Sequence, residues 1–246
     1  MNRSYILEDA WKIIETGYQP DRVRGSESVF SIGNGVMGQR ANFEEYYSGP
    51  SFQGSYIGGV YYPDKTRVGW WKNGYPEYFA KVLNAPNWIG IDIKINELPL
   101  DLFAAKKIHQ FSRELDMKKG LYTRKFELKM PNGAHLRAVV KRFVSMDQTE
   151  IGAIEYNIEI LSENATFIIA PYLSGRIKNE DSNWEDPFWS HLQSETDYQS
   201  AYLVSKTLKT DFHVCTYMHT ELKLNGNLLQ NKSTRCAYMY IHENLF

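Results

Sequence analysis

Apolar and polar side chains alternate along much of the chain beyond residue 80, a period-two pattern typical of half-buried β-strands. In residues 89–96 the isoleucines at 89, 91, 93 and 95 lie on one side, and Asp92, Lys94 and Asn96 lie on the other. Residues 122–130 alternate in the same way. Each of these segments therefore predicts a strand with one face in a core.

Turn residues separate these strand-like segments. Pro131-Asn132-Gly133 predicts one hairpin and Asn225-Gly226 predicts a second, because both sequences favour tight turns. Further strand-like runs lie at 153–160, 165–173, 201–208, 213–224 and 234–246. Many short strands with few helices predict a mainly β fold, in which antiparallel sheets stack as a large sandwich.

The first 18 residues follow a different period. Ile6, Ala10, Ile13 and Ile14 fall near one face of a helical wheel, and polar residues fall near the other. This spacing predicts a short amphipathic N-terminal helix.

Gly33, Gly35 and Gly38 spell the G-x-G-x-x-G pattern of dinucleotide-binding turns. That function requires a helix starting at the glycines and a parallel strand after it. Here Gly49 and Pro50 break any long helix, and tyrosine-rich extended runs follow. We therefore expect the glycines to serve positive backbone φ or close packing.

Length and charge narrow the function classes. The 246 residues suit one large β domain or two small ones, and we expect a single domain over residues 1–246. The net charge of −1 provides no field for nucleic acid or anionic membranes. The N terminus lacks a basic region followed by an apolar one, and no apolar run approaches the roughly 20 residues of a membrane helix. We therefore expect a cytoplasmic protein.

Five blocks carry a resemblance to a known family. Residues 27–45 (ESVFSIGNGVMGQRANFEE) resemble the opening signature of glycoside hydrolase family 65, which contains maltose, kojibiose and trehalose phosphorylases. The stretches at 54–64, 82–95, 115–128 and 174–189 agree with the family in order. The resemblance implies a galactose-mutarotase-like supersandwich at the N terminus of the enzyme.

In this family a catalytic α/α barrel follows the sandwich and carries the general acid and the phosphate site. The present residues contain no run of long amphipathic helices that could form such a barrel. We therefore expect a domain that is inactive alone and whose partners are the barrel, a disaccharide and, in a homodimer, a second copy.

The resemblance also implies a reaction. A carboxylic acid protonates the glycosidic oxygen while inorganic phosphate attacks from the opposite face, which gives inverting phosphorolysis. Phosphate is then a co-substrate, and no cofactor is expected. A hydrolase remains open, because the choice between water and phosphate is made in the barrel. The alternative function is an autonomous carbohydrate-binding module.

The candidate site residues lie mainly in the loop from residue 174 to 189. They combine partners for sugar hydroxyls with flat apolar faces: Asn179, Asp181, Asn183, Trp184, Phe188 and Trp189. Trp70 and Trp71 form a second aromatic candidate. Both groups are candidates for sugar contact or for docking onto the barrel, and disorder is a further alternative for the loop.

Catalytic and metal-binding residues are not predicted. Glu44-Glu45, Glu180-Asp181 and Glu185-Asp186 are adjacent carboxylates, for which we expect solvated surface positions. The six histidines form no zinc-binding pattern.

Overall fold

The computed structural model describes residues 5–66, 74–162, 164–179, 188–229 and 238–239. Strands account for 51% of the structure and helices for 5%, so the predicted mainly β class is confirmed. The described strands are β1 (Ile6–Glu8), β2 (Lys12–Thr16), β3 (Ile32–Gly33), β4 (Met37–Gln39), β5 (Ser55–Ile57), β6 (Tyr61–Lys65), β7 (Tyr78–Val82), β8 (Ile91–Ile95), β9 (Leu98–Pro99), β10 (Lys107–Asp116), β11 (Leu121–Lys129), β12 (His135–Val144), β13 (Gly152–Ile160), β14 (Phe167–Leu173), β15 (Trp189–Thr196), β16 (Ser200–Thr207), β17 (His213–His219), β18 (Lys223–Leu224), β19 (Asn227–Leu228) and β20 (Tyr238–Met239). A 3-10 turn at Pro20–Arg22 leads into the helix α1, Val23–Val29.

The chain divides into two compact units, and each is assembled from two separate stretches. The first unit contains Met1–Gly54 and Ile89–Pro171, and the second contains Ser55–Trp88 and Tyr172–Phe246. The single domain expected over residues 1–246 stays a prediction.

A six-stranded antiparallel sheet dominates the first unit, in the order β1-β2-β10-β11-β12-β13. Its inner face packs against β8, which pairs with β9 and with the first part of β14. Ile93 and Ile95 of β8 share one buried cluster with Phe126 and Leu128 of β11. Two sheets therefore enclose an apolar core, as the alternating segments predicted.

Both predicted hairpin turns are present. Gly133 adopts φ of 93° between β11 and β12, and Asn225 and Gly226 adopt φ of 51° and 83° between β18 and β19. Asn and Gly are the residues that tolerate this left-handed conformation at low cost, so the turn sequences fix these two registers.

The glycine pattern forms a short hairpin and not a nucleotide-binding turn. β3 and β4 pair antiparallel, with Gly33 opposite Gly38. Gly35 lies in the connecting turn with φ of 89°. Asn34 closes the turn, since its Oδ1 accepts the backbone N–H groups of Val36 and Met37. The expected structural use of the glycines is confirmed.

The helix predicted within residues 1–18 is wrong for the part that is described. β1 and β2 occupy this segment, and β2 pairs with β10, with Ile13 opposite Leu115. The β-branched run at Ile13 and Ile14 favours the sheet, and the pairing with β10 overrides the helical spacing. The first helix is α1, which is seven residues long.

The second unit contains a ribbon and a three-stranded sheet. β6 and β7 pair antiparallel, and β15, β16 and β17 form an antiparallel sheet. Leu173, Ala201 and Leu203 form a buried cluster against which Trp88 packs.

Candidate functional site

Three arginines extend into the interior from adjacent strands of the first unit. Arg113, Arg124 and Arg142, on β10, β11 and β12, are at most 1% exposed. The register places Glu15, Arg113, Arg124 and Tyr156 in one row across the sheet. Charges in such positions must be neutralised, because an unpaired buried charge costs several kcal/mol.

Arg124 is neutralised by the two adjacent glutamates of the signature. Its Nη1 donates to Glu45 Oε1 at 2.5 Å, and its Nη2 donates to Glu45 Oε2 at 2.6 Å and Glu44 Oε2 at 2.8 Å. The guanidinium lies over the Phe43 ring at 4.4 Å and the Phe126 ring at 5.1 Å. The two-pronged contact with Glu45 has the geometry of a strong charge-assisted pair.

Arg142 and Tyr156 complete the network. Arg142 Nη1 lies 2.9 Å from Glu44 Oε1, so Glu44 is shared between two arginines. The Tyr156 hydroxyl donates to Glu45 Oε2 at 3.0 Å. Every strand from β11 to β13 is thereby tied to the segment that contains the two glutamates.

The electrostatics follow from this geometry. Burial disfavours the charged form of Arg124, but the charges of Glu45 and Glu44 outweigh it and raise its pKa well above the usual value. Burial and the charge of Glu45 also raise the pKa of Tyr156 well above its usual range. Arg124 therefore stays a cation and Tyr156 stays a neutral donor at physiological pH.

Glu15 and Arg113 form the weakest part of the row. Their closest atoms, Arg113 Nε and Glu15 Oε2, are 3.4 Å apart, and neither has a hydrogen-bond partner among the described residues. Burial raises the pKa of Glu15 above its usual value, and the charge of Arg113 offsets this only in part. Proton uptake by Glu15 therefore relieves an incompletely paired buried charge.

The solvated surface position expected for Glu44 and Glu45 is wrong, since both side chains are 0% exposed in their ion pairs. The chain bends at these two residues and forms no strand there. Adjacent side chains can then reach the same guanidinium. Carboxylates held in this way neutralise the buried guanidinium groups of Arg124 and Arg142.

Sequence reasoning also missed the three arginines. Arg124 has the same parity as Phe126 and Leu128 on β11, and Arg142 has the same parity as Val140 on β12. An arginine in phase with an apolar strand face is therefore the signal that could have revealed the buried network.

The other two charged residues of the signature, Glu27 and Arg40, also make polar contacts inside the first unit. Glu27 of α1 accepts from the Ser51 hydroxyl at 2.5 Å and from the Phe52 backbone N–H at 2.7 Å. Arg40 lies 3.7 Å from Glu27 and donates to the Phe52 carbonyl at 2.7 Å. All four charged side chains between residues 27 and 45 thus connect α1, the hairpin and the sheet.

In the second unit, Asn84 holds both ends of the candidate loop. Its backbone N–H donates to Asn179 Oδ1 at 2.8 Å, and its Nδ2 donates to the Lys178 carbonyl at 3.1 Å. On the other side, Trp189 Nε1 donates to the Asn84 carbonyl at 2.9 Å. Asn179 also donates from Nδ2 to the Val82 carbonyl at 2.8 Å.

The described candidates at these loop ends are packing and anchoring residues. Phe188 is buried against Leu83 and Tyr62, with an edge-to-face ring distance of 4.8 Å to Tyr62. Trp189 packs against the same cluster. The remaining candidates lie outside the described residues: Asp181, Asn183, Trp184, Trp70 and Trp71. Sugar contact and docking stay predictions for the loop.

The described residues contain no group of three or more histidine, cysteine or acidic side chains placed to hold a metal ion. None of the helices in the same residues has both the length and the apolar character needed to cross a bilayer.

Comparison with known proteins decides the family. Residues 13–243 match the model for "Glycosyl hydrolase family 65, N-terminal domain". The chain belongs to glycosyl hydrolase family 65. The resemblance noted at the signature is thereby confirmed for nearly the whole length of this family 65 domain.

Relatives of the family 65 domain include disaccharide phosphorylases. Maltose phosphorylase of Bacillus subtilis (strain 168) is 44% identical over 212 residues, which cover 86% of this chain. Alpha,alpha-trehalose phosphorylase of Thermoanaerobacter brockii is 30% identical over 85% of this chain. A solved structure described as "Putative kojibiose phosphorylase from human microbiome" superposes with a TM-score of 0.76 and 28% identity, and the match covers 90% of this chain and 29% of that chain. The family 65 domain spans 28% of the length of both phosphorylases.

Proposed function

We propose that this family 65 domain is the non-catalytic N-terminal β-sandwich of an enzyme that cleaves α-glucosidic disaccharides by inverting phosphorolysis. The named relatives support the reaction class, since they are phosphorylases of maltose, trehalose and kojibiose. The co-substrate is inorganic phosphate, no cofactor takes part, and the compartment is the cytoplasm. The catalytic α/α barrel, outside these residues, is the principal partner.

The observation that carries the proposal is the burial of the two signature glutamates, Glu44 and Glu45, in ion pairs. Phosphorolysis needs a carboxylic acid that reaches the glycosidic oxygen. Glu44 and Glu45 are enclosed by Arg124, Arg142 and Tyr156 and have no exposed side-chain surface. The burial of this acidic pair favours a structural role for both glutamates, and it supports placing the acid that protonates the leaving group in the remainder of the enzyme.

A turnover assay tests this division of labour. The 246-residue chain is incubated with phosphate and maltose, kojibiose or trehalose, and release of glucosyl phosphate is measured beside Bacillus subtilis maltose phosphorylase as the positive control. We expect no turnover by the chain alone. Phosphate-dependent cleavage that persists through repurification and is lost in the destabilised Arg124→Met variant would belong to this chain and would refute the proposal.

An autonomous carbohydrate-binding module is the second candidate. The exposed Tyr61 and Tyr78 rings on the β6–β7 ribbon favour it, because sugars stack on flat aromatic faces. Calorimetric titration of the chain with the three disaccharides separates the candidates. Affinity in the millimolar range or tighter, about 4 kcal/mol or more, supports the module, and no heat of binding supports the non-catalytic sandwich.

A further inference from the structure

The outward face of the β6–β7 ribbon carries one charged side chain, Lys65, and is otherwise apolar. The register pairs Tyr61 with Val82 and Pro63 with Ala80. Since directly paired residues share a face, four apolar side chains form one continuous surface. Tyr61 is 46% exposed and Val82 is 58% exposed. Tyr78, paired with Lys65 at the end of the same face, is 51% exposed.

The opposite face of the ribbon already packs against other residues of the second unit. Tyr62 is buried against Leu83 and Phe188 in a small core of the second unit. An antiparallel ribbon with one solvated face should show polar residues on that face. The β6–β7 ribbon instead has the Asp64–Lys81 ion pair on the same face as Tyr62. Its outward face is mostly apolar, which is the pattern of a face that a partner covers.

Local contacts hold this outer surface in a fixed orientation. Thr210 Oγ1 donates to the Tyr61 carbonyl at 2.8 Å. The Phe212 ring meets the Tyr61 ring edge to face with a centroid distance of 5.2 Å. The surface is therefore presented ready for packing and does not need to be ordered by its partner, which lowers the entropy cost of docking.

We propose that the outer surface of the ribbon, formed by Tyr61, Pro63, Tyr78, Ala80 and Val82, packs against the remainder of the same polypeptide in the full-length enzyme. The inference rests on the proposed function. Its support is the length of the relatives, of which this chain spans 28%. The rest of such an enzyme meets this domain at some surface, and a mostly apolar surface is the kind that a permanent interface buries.

The chemistry of the surface favours protein over sugar. Disaccharide sites combine aromatic faces with several converging polar groups. Here the aliphatic side chains of Pro63, Ala80 and Val82 separate the two tyrosine rings, and Lys65 is the single charged residue on this face of the two strands. Aliphatic surface of this kind complements apolar protein side chains.

Hydroxyl-radical footprinting tests the inference by comparing the isolated chain with the full-length enzyme. We expect Tyr61 and Tyr78 to be labelled about fivefold less in the enzyme, since half-exposed rings become buried. Tyr217, which is 63% exposed on β17, is the control and keeps its labelling. Equal labelling of Tyr61 and Tyr78 in the two proteins overturns the inference. Protection in the isolated chain that grows with protein concentration also overturns it, because the occupant is then a second copy.

Matched substitutions provide a second readout. Val82→Thr and Tyr78→Thr keep strand propensity and make the surface polar. They should leave the thermal midpoint of the isolated chain unchanged and lower that of the full-length enzyme by about 3 °C or more. Tyr217→Thr should change neither. An unchanged midpoint in the enzyme counts against the docking surface, whereas turnover by the isolated chain counts against the proposed function, so the two failures are distinct.

Discussion

Replacing Arg124 by methionine should destabilise the first unit severely. Methionine retains apolar contact with the Phe43 and Phe126 rings that flank the guanidinium but removes three hydrogen bonds to the two buried glutamates. Glu44 keeps its ion pair with Arg142, so the uncompensated charge falls mainly on Glu45. Removing one partner of a buried ion pair costs about 3–5 kcal/mol, which is a large part of a typical domain stability of about 5–15 kcal/mol.

Urea denaturation, followed by tryptophan fluorescence and circular dichroism, measures this loss as a lower midpoint at unchanged slope. Arg137→Met is the matched control, because Arg137 lies on β12 with a side chain that is 48% exposed and pairs with Glu127 and Glu159. An exposed pair of this kind contributes about 0–1 kcal/mol. The double variant Arg124→Met with Glu45→Gln should regain part of the loss, since no unpaired charge remains on Glu45.

The reasoning is refuted if Arg124→Met costs no more than Arg137→Met. That result would mean that water or structural relaxation neutralises Glu45 without the guanidinium.

Three further substitutions test other parts of the structure. Glu15→Gln should remove a pH dependence of the free energy of unfolding. The raised pKa of Glu15 gives a contribution to stability that is present below pH 4.5 and is lost as the pH rises through the folded-state value. The parent should therefore lose stability relative to the variant towards neutral pH, and a gain would contradict the sign. Gly49→Ala should cost about 1–3 kcal/mol of stability by overpacking, because a Cβ would lie 2.7 Å or less from neighbouring ring atoms. Gly25→Ala in α1 is the control, because its Cβ would have nothing within 4 Å. Equal unfolding midpoints of the two variants would exclude a clash at Gly49. Asn84→Ala should cost about 1–3 kcal/mol of stability, since the backbone N–H of Ser55 loses its acceptor. The same substitution should speed proteolytic cleavage between residues 180 and 187, and an unchanged cleavage rate would show that the loop is held by other contacts.

The strands were predictable from sequence because their evidence is local. Alternation in β8, β11 and β12 and the turns at Gly133 and Gly226 each specify their own segment. The N-terminal strands were not predictable in this way, since the pairing of Ile13 with Leu115 joins residues about a hundred positions apart. In the N-terminal segment the helical spacing and the strand propensity favoured different structures, and pairing with the distant strand β10 favoured the strand.

The buried network was hidden for a different reason. Glutamates are usually exposed, and nothing adjacent to Glu44 and Glu45 in the chain indicates an arginine. Their partners, Arg124 and Arg142, come from strands about 80 and 100 residues away. The signal in the sequence was that both arginines share the parity of the apolar residues in their strands. This signal indicates a buried network only when the pairing of the strands is known.

The discontinuous second unit has a consequence for synthesis on the ribosome. Asn84 and Trp189, which bond to each other, are separated by 105 positions, and the residues between Trp88 and Tyr172 belong to the first unit. At a translation rate of about 5–20 residues per second, the β6–β7 ribbon waits roughly 5–20 s for Phe188 to emerge. During that interval Tyr62 and Leu83 lack their contact with Phe188, so this nascent stretch is the natural target for a chaperone.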